Sequence, residues 1–444
     1  MLAEIRITVE QLDALRSHLL SDENEHAAIL LCGVVPADVP TLACRSVVPL
    51  GAQDLLGRGE SHLEVSPVAI ARWTKRAAAS DGTVIICHSH PFPGPVDPSS
   101  IDLRTESHLC GEVLPRRLAG RPVGALIAGP DGVSARLWSD GASIEAEVVV
   151  PGHRAEVVGH SKIGHRSDRQ VLVWGQSGQS RLAAARVAIV GVGGTGSHVA
   201  QQLAHLGVGE LLLIDPDLIE ESNLSRLVGA SHPDVGRSKV EAIAKSVAAV
   251  NPVVHVNQIQ ASVVDIDPSM LASADLIMCC TDGHGSRALL TELVQQYLVP
   301  CIDMGVEVLG TRGSSIAGGG VRILMPGHAC LHCMGIIDPA LVREEYLSEA
   351  ERSLEKERGY IRGVNDPAPS VIALNGVVAS LAVMEALHLL LGLFESDSSR
   401  IVYRADHRMT RTVAAKSIDS CYVCGGEGLL GRGDARPLPR RLAS

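Results

Sequence analysis

Aromatic residues are scarce: two Phe, five Tyr and three Trp make up 2% of the 444 positions. A surface that holds nucleic acid by stacking bases needs such rings, and this chain has few to offer. Positive charge is short as well. Lys and Arg number 39 against 50 Asp and Glu, a net charge of −11 that argues against a nucleic-acid partner. No secretory leader is expected, because Met1-Leu2-Ala3-Glu4-Ile5-Arg6 sets charges where its apolar core would lie. The longest apolar stretch, Ser370 to Phe394, is interrupted by Asn375, Glu385 and His388, so a buried helix is expected and not a membrane span. The eleven cysteines include two Cys-x-x-Cys pairs, which suits a metal in a reducing compartment better than a disulfide framework. The cytoplasm is the expected location.

What is plentiful is aliphatic: hydrophobic residues make up 46% of the chain and charged residues 20%, enough for packed cores built from Ala, Val, Leu and Ile. At about 150 residues each, two or three domains are expected. Residues 1–150 read as mixed α+β, with an amphipathic stretch from Val9 to Leu20 and strands at Ala27–Val35, Thr83–His88 and Val123–Ala128. Residues 151–165 read as a linker. From 166 to 425 strands and helices alternate (Arg186–Val190, Ser197–Leu206, Glu210–Asp215, Lys239–Val250, Leu276–Cys280). That is the α/β rhythm of a parallel, doubly wound, Rossmann-like sheet. Residues 426–444, rich in Gly, Pro and Arg, read as a disordered tail.

The first chemical signature is His88-Ser89-His90-Pro91 followed by Ser99-Ser100-Ile101-Asp102. Two histidines two apart on a strand point to one face. The proline-rich loop 91–98 can return the chain so that Ser99 caps a helix with Asp102 in its first turn. Two His and one Asp with an open fourth position form a catalytic zinc arrangement, in which water is acidified. The general base must come from elsewhere; Glu25, just ahead of the apolar strand, is the first candidate and Glu23 the second. The competing reading is that His88 and His90 merely end a buried strand; Pro91, Ser99 and Asp102 together weigh against it. These residues resemble the JAB/MPN (JAMM) metalloprotease family, isopeptidases that act on ubiquitin and ubiquitin-like proteins. The resemblance implies zinc on His88, His90 and Asp102, Glu25 as base and Ser99 as stabiliser of the oxyanion.

The second signature is Gly191-Val192-Gly193-Gly194-Thr195-Gly196, set between an expected strand and an expected helix. Glycines let the backbone approach phosphates at the helix N-terminus, and Asp215 at the next strand end is placed for ribose hydroxyls. To this point an NAD-binding domain is equally served. Two candidate cations follow, Arg226 in Asn223-Leu224-Ser225-Arg226 and Lys239 in Gly236-Arg237-Ser238-Lys239. These suit a triphosphate attacked at its α-phosphorus, where charge builds on departing pyrophosphate. Asp282, in Thr281-Asp282-Gly283, supplies a carboxylate suited to Mg²⁺. The chain here looks like the ubiquitin-activating-enzyme superfamily of ThiF/MoeB/HesA type. The resemblance implies ATP cradled by Gly191, Gly193, Gly194 and Gly196, with Asp215 on ribose and Asn223, Arg226 and Lys239 on phosphates. It also implies Asp282 on Mg²⁺, and Arg169 reaching the ATP of the other protomer in a homodimer.

Cys330-Leu331-His332-Cys333 and Cys421-Tyr422-Val423-Cys424 have the spacing of a closed, structural zinc site, with His332 exposed and not a ligand. Between the first knuckle and the apolar helix, 334–369 is the expected crossover over a carrier's tail, and it contains no cysteine. Seven cysteines stay unassigned: Cys32, Cys44, Cys87, Cys110, Cys279, Cys280 and Cys301. An acyl-adenylate is therefore expected to pass to an external nucleophile, a conjugating-enzyme-like partner or a sulfur donor. The expectation is a bifunctional enzyme for a ubiquitin-like or sulfur-carrier protein ending in Gly-Gly, using ATP, Mg²⁺ and two zinc ions. Its rivals are an adenylyltransferase with an inactive JAB-like docking domain, and an NAD-dependent oxidoreductase.

Overall fold

The computed structural model describes residues 2–152, 165–309, 316–348, 351–354, 369–393, 399–439 and 441. The expected linker and much of the expected crossover lie outside the described residues. The chain forms two compact units. One comprises Met1–Pro151, Gln295–Leu298 and Leu429–Pro437; the other comprises Gly152–Val294, Val299–Gly428 and Leu438–Ser444.

The first unit contains β1 (Ala3–Arg6), α1 (Val9–Leu19), β2 (Ala27–Val35), β3 (Thr41–Pro49), β4 (Leu55–Gly59), β5 (His62–Val65) and α2 (Pro67–Ala78). These are followed by β6 (Thr83–Ser89), α3 (Ser100–His108), α4 (Leu114–Arg117), β7 (Val123–Gly129), β8 (Gly132–Ser139) and β9 (Ala142–Val149). Seven strands close a barrel in the order β1-β3-β2-β6-β7-β8-β9, with Ile5 of β1 opposite Val148 of β9 in a parallel pair. The unbroken apolar run of β2 marks a strand buried on both faces. Ala28, Leu30 and Cys32 pack with Leu15 and Leu19 of α1, whereas Ala27, Ile29 and Leu31 pack with Ala77 of α2 and Leu114 of α4. Period-two alternation thus feeds two cores from one strand. Helix α1 starts in a capping box, where the Thr8 hydroxyl accepts from Gln11 N–H and the Gln11 amide oxygen accepts from Thr8 N–H.

The expected disordered tail needs correcting. Residues 426–439 have defined structure, with Leu429 and Leu438 buried, and Leu429–Pro437 belongs to the first unit. There the backbone of Arg432 and Gly433 lies directly against Gly33 and Val34 of β2. A Cβ at Gly33 would overlap the Arg432 backbone, and Gly433 takes φ +53°, so glycine is required on both sides of the contact.

The second unit contains α5 (Asp168–Ala184), β10 (Arg186–Val190), α6 (Gly194–Leu206), β11 (Glu210–Ile214), α7 (Lys239–Val250), β12 (His255–Ile259), α8 (Ser269–Ala272), β13 (Leu276–Cys279) and α9 (His284–Tyr297). It continues with β14 (Cys301–Leu309), β15 (Ile316–Leu324), α10 (Pro339–Tyr346), α11 (Ile372–Leu391), β16 (Ser399–Arg404) and β17 (Met409–Ala414). Its eight-stranded sheet runs β12-β11-β10-β13-β14-β15-β16-β17. The first five strands are parallel, as the alternating pattern predicts; β15, β16 and β17 add an antiparallel extension that the pattern does not signal. Helix α11 is long and apolar enough to cross a membrane by length and composition. Its Val378, Ala379, Ala382, Val383 and Ala386 are instead buried in the core formed by β10, β11, β13–β15, α6 and α7.

Candidate active sites

In the first unit, β6 is flanked by β2 and β7 and carries His88 near its C-terminal end, with His90 one residue beyond it. Beyond the proline-rich loop, Ser99 caps α3 through a capping box. Its hydroxyl accepts from Asp102 N–H (3.1 Å), and Asp102 Oδ2 accepts from Ser99 N–H (2.7 Å). The box fixes the carboxylate between the imidazoles: His88 Nε2 lies 3.3 Å from Oδ1 and His90 Nε2 lies 3.4 Å from Oδ2. His88 Nε2 is buried and faces the Asp102 carboxylate without the alignment of a hydrogen bond, an unsatisfied ring nitrogen that a metal ion would engage. The three ligand atoms lie within 4.8 Å of one another. Residue types and convergence both fit zinc.

Glu25 is only 8% exposed, and its electrostatic neighbours include His88 and Asp102. Burial raises its carboxyl above the ordinary value against the opposing pull of His88. Burial likewise lowers the His90 imidazole; it raises the Asp102 carboxyl, but the adjacent His88 imidazole and Ser99 outweigh it and hold that group well below the usual carboxylate range. Glu23, the second candidate base, is exposed. The two strands are also knitted beyond their ladder, since His26 N–H donates to the Ser89 hydroxyl (2.8 Å) and Ser89 N–H to the His26 carbonyl (3.0 Å).

In the second unit, the glycine loop joins β10 to α6. Gly191 takes φ +88°, and a Cβ there would press on the Cys280 carbonyl at 2.9 Å; a Cβ at Gly196 would overlap the Gly191 carbonyl oxygen. Only glycine fits either position. Asp215, 5% exposed, anchors the loop: Oδ2 accepts from Val192 N–H (2.8 Å) and Oδ1 from Asp217 N–H (2.9 Å). Burial raises its carboxyl, with Lys239 opposing. Lys239 Nζ sits 2.6 Å from Asp217 and 3.9 Å from Asp215.

Asn223 is buried in a short 3₁₀ turn, where its Oδ1 accepts from Glu220 N–H. Arg226 donates to the Ser222 carbonyl (2.9 Å), and its stem passes beside Gly194. Asp282 is exposed just after β13, which pairs directly with β10. Loop, acid and cations are therefore brought together at the C-terminal edge of the parallel strands, where doubly wound sheets bind ligands. Arg169 is exposed on α5. The sequence reading overlooked Asn375 in this region; its side-chain amide lies against Gly194, and the residue is 2% exposed. A lone amide in an apolar helix was the available signal.

The four knuckle thiols converge, with Sγ–Sγ separations of 3.6 Å (Cys330–Cys421), 3.4 Å (Cys333–Cys424) and 3.9 Å (Cys330–Cys333). A tetrahedron with zinc–sulfur bonds of about 2.3 Å has edges of about 3.8 Å, so the set fits a closed zinc site. Backbone N–H groups of Cys424 and Val423 outweigh burial and bring the Cys421 thiol down to about 7. His332 is half-buried, not exposed as expected, and pairs with the Tyr422 hydroxyl (2.8 Å).

Residues 167–422, more than half of the chain, match the ThiF family. The chain belongs to the ThiF family. It is 30% identical over 260 residues to the SAMP-activating enzyme E1 of Haloferax volcanii, spanning 57% of this chain and 86% of that protein. It is 31% identical over 267 residues to the molybdopterin-synthase adenylyltransferase of Escherichia coli, spanning 59% and 96%. Ubiquitin-like modifier-activating enzyme 5 of Drosophila grimshawi is 32% identical over 230 residues, spanning 48% and 52%. Among solved structures, E. coli MccB with ATP is similar at 25% identity, covering 59% of this chain and 75% of that one with a TM-score of 0.47.

Proposed function

We propose that this ThiF-family protein uses ATP to adenylate the terminal carboxylate of a ubiquitin-like or sulfur-carrier protein, and that its N-terminal barrel is a zinc peptidase acting at the same terminus. The observation that carries the adenylation reading is the joining of the glycine loop, Asp215, Arg226 and Lys239 at one sheet edge inside the region that matches the family.

In the proposed reaction a carboxylate oxygen attacks the α-phosphorus, the bond to the β-phosphate oxygen breaks, and pyrophosphate leaves with the electron pair. The glycine loop holds phosphate oxygens on backbone N–H groups. Arg226, Lys239 and Asn223 meet the charge that accumulates on the leaving group. Asp215 takes the ribose, and Arg169 reaches the ATP of a second protomer. Asp282 would hold Mg²⁺, which supplies charge neutralisation to the phosphates.

The cysteines argue for an external acceptor of the adenylate. Burial pushes the thiols of Cys279, Cys280 and Cys301 up, Cys32, Cys87 and Cys110 likewise, and Cys44 is buried. A thiol so placed is a poor nucleophile. The acceptor is then a conjugating-enzyme-like partner or a sulfur donor.

The peptidase reading rests on the geometry of the barrel. Zinc held by His88, His90 and Asp102 would supply Lewis acidity to water and to the scissile carbonyl. Glu25 takes the proton of the attacking water and passes it to the leaving amine. The Ser99 hydroxyl, whose oxygen accepts from Asp102 N–H, donates a hydrogen bond to the developing oxyanion.

Carrier-dependent exchange of pyrophosphate into ATP tests the adenylation reading. Arg226→Ala and Asp282→Ala are each expected to lower it by about 10²–10³-fold, the usual cost of one charge-stabilising group. Exchange retained in both would refute the assignment.

A further inference from the structure

One face of the antiparallel extension carries a second charged feature that the reaction outlined above does not use. Strands β14, β15 and β16 are in register, with Asp303, Arg322 and Arg400 in one row, Gly305, Gly320 and Val402 in the next, and Glu307, Gly318 and Arg404 in the third. Together with Arg287 from α9 these rows, apart from the buried Asp303, line a groove of about 470 Å³. Glycine keeps the middle of the face flat: a Cβ at Gly305 would press on the Arg287 guanidinium at 3.2 Å, and one at Gly320 on that of Arg322 at 3.4 Å.

The charges do not cancel at the first row. Asp303 is fully buried and binds both Arg287 (Nε–Oδ1 2.8 Å) and Arg322 (Nη1–Oδ2 2.6 Å). Two guanidinium groups thus share one carboxylate. Arg400 adds a third cation with no ion pair among the described residues, and the Nε atoms of Arg322 and Arg400 are both buried without a partner. Arg404 and Glu307 stand two rows away, and Arg404 is already paired with Asp406. Counted with Arg287, the first row therefore holds two unbalanced positive charges with spare donors. A guanidinium fork in that state favours a carboxylate.

We infer that this groove receives the extended segment preceding the carrier's terminus, and that Arg400 with Arg322 selects an acidic side chain in it. The inference rests on the adenylation reading. The flat glycine rows admit an extended backbone, and Arg287 touches both the groove and the Asp282 carbonyl (3.2 Å), so the face leads towards the nucleotide loop.

The test uses the full chain and fluorescein-labelled heptapeptides ending in Gly-Gly, with one Asp, Ala or Lys moved through the upstream positions, read by anisotropy. At one position Asp is expected to bind about tenfold more tightly than Ala, with Lys weaker than both. The preference is expected to fall within about twofold in Arg400→Ala and to invert towards Lys in Arg400→Glu. Arg322 is left intact because it also neutralises Asp303, and thermal unfolding checks that the Arg400 variants are folded.

Equal binding of the three peptides, no binding of any, or a preference that survives Arg400→Glu overturns the inference. Pyrophosphate that erases the Asp preference without displacing the peptide assigns the arginines to a phosphate and overturns it too. Exchange driven by the same peptides separates the two readings. Acid preference without exchange removes the adenylation reading alone, and exchange without acid preference removes this inference alone.

Discussion

Ser99 has one observed role and one proposed role, and a pair of substitutions can separate them. As the cap of α3 it accepts from Asp102 N–H, and as the proposed oxyanion donor it contributes its hydroxyl proton. Ser99→Ala removes both. Losing a Ser cap to Ala costs about 1 kcal/mol, whereas loss to Gly costs only a few tenths. For a unit of roughly 150 residues, 1 kcal/mol corresponds to about 2–4 °C in Tm. Neither variant retains the hydroxyl, and removing one oxyanion donor costs about 10²–10³ in kcat. Ala and Gly variants should therefore lose hydrolysis equally while differing in stability. The assay is release of aminomethylcoumarin from a peptide ending in Gly-Gly, beside thermal unfolding and zinc content. A Gly variant that hydrolyses like wild type refutes the donor role. A rate loss that tracks Tm across the two variants shows that the cap alone matters.

Other expectations concern the metals, the loop and the thiols. The purified chain should hold two zinc ions by elemental analysis, falling to one in His88→Ala and to one in Cys421→Ser; a single ion in wild type would leave the barrel as a docking module. Gly196→Ala should abolish ATP binding by calorimetry while the barrel still unfolds normally, because a Cβ there overlaps the Gly191 carbonyl. Wild-type binding in that variant would show that the loop is not the phosphate cradle. With carrier and ATP present, no reductant-sensitive adduct should appear on a gel, and a thioester band would overturn the external-acceptor reading.

Much of this was legible in the sequence where one local signal decides. The run Ala27–Val35 is bounded as expected because turn residues close both of its ends. The Ser99 cap with Asp102 in the first turn of its helix follows from a three-residue spacing, while the reciprocal bond from Ser99 N–H to Asp102 is seen only in the structure. Barrel closure was not legible, since pairing Ile5 with Val148 depends on contacts that leave no local mark. Nor was the antiparallel turn of the sheet beyond β14, which composition shares with the parallel part. The C-terminal segment was misread because Gly and Arg dominated its composition. Leu429, Leu438 and the glycines facing β2 are what order it. Asn375 looked like an interruption of an apolar helix, and it lies against Gly194 of the glycine loop.

That last contact links occupancy to durability. The helix that runs through the second core also places Asn375 against the glycine loop, so a ligand settling at Gly194, as proposed, would brace a buried segment of the unit. A nucleotide at a hundred times its dissociation constant adds about 2.7 kcal/mol to the folded state. On the proposed reading, the protein deprived of ATP is expected to be the form cut faster by proteases.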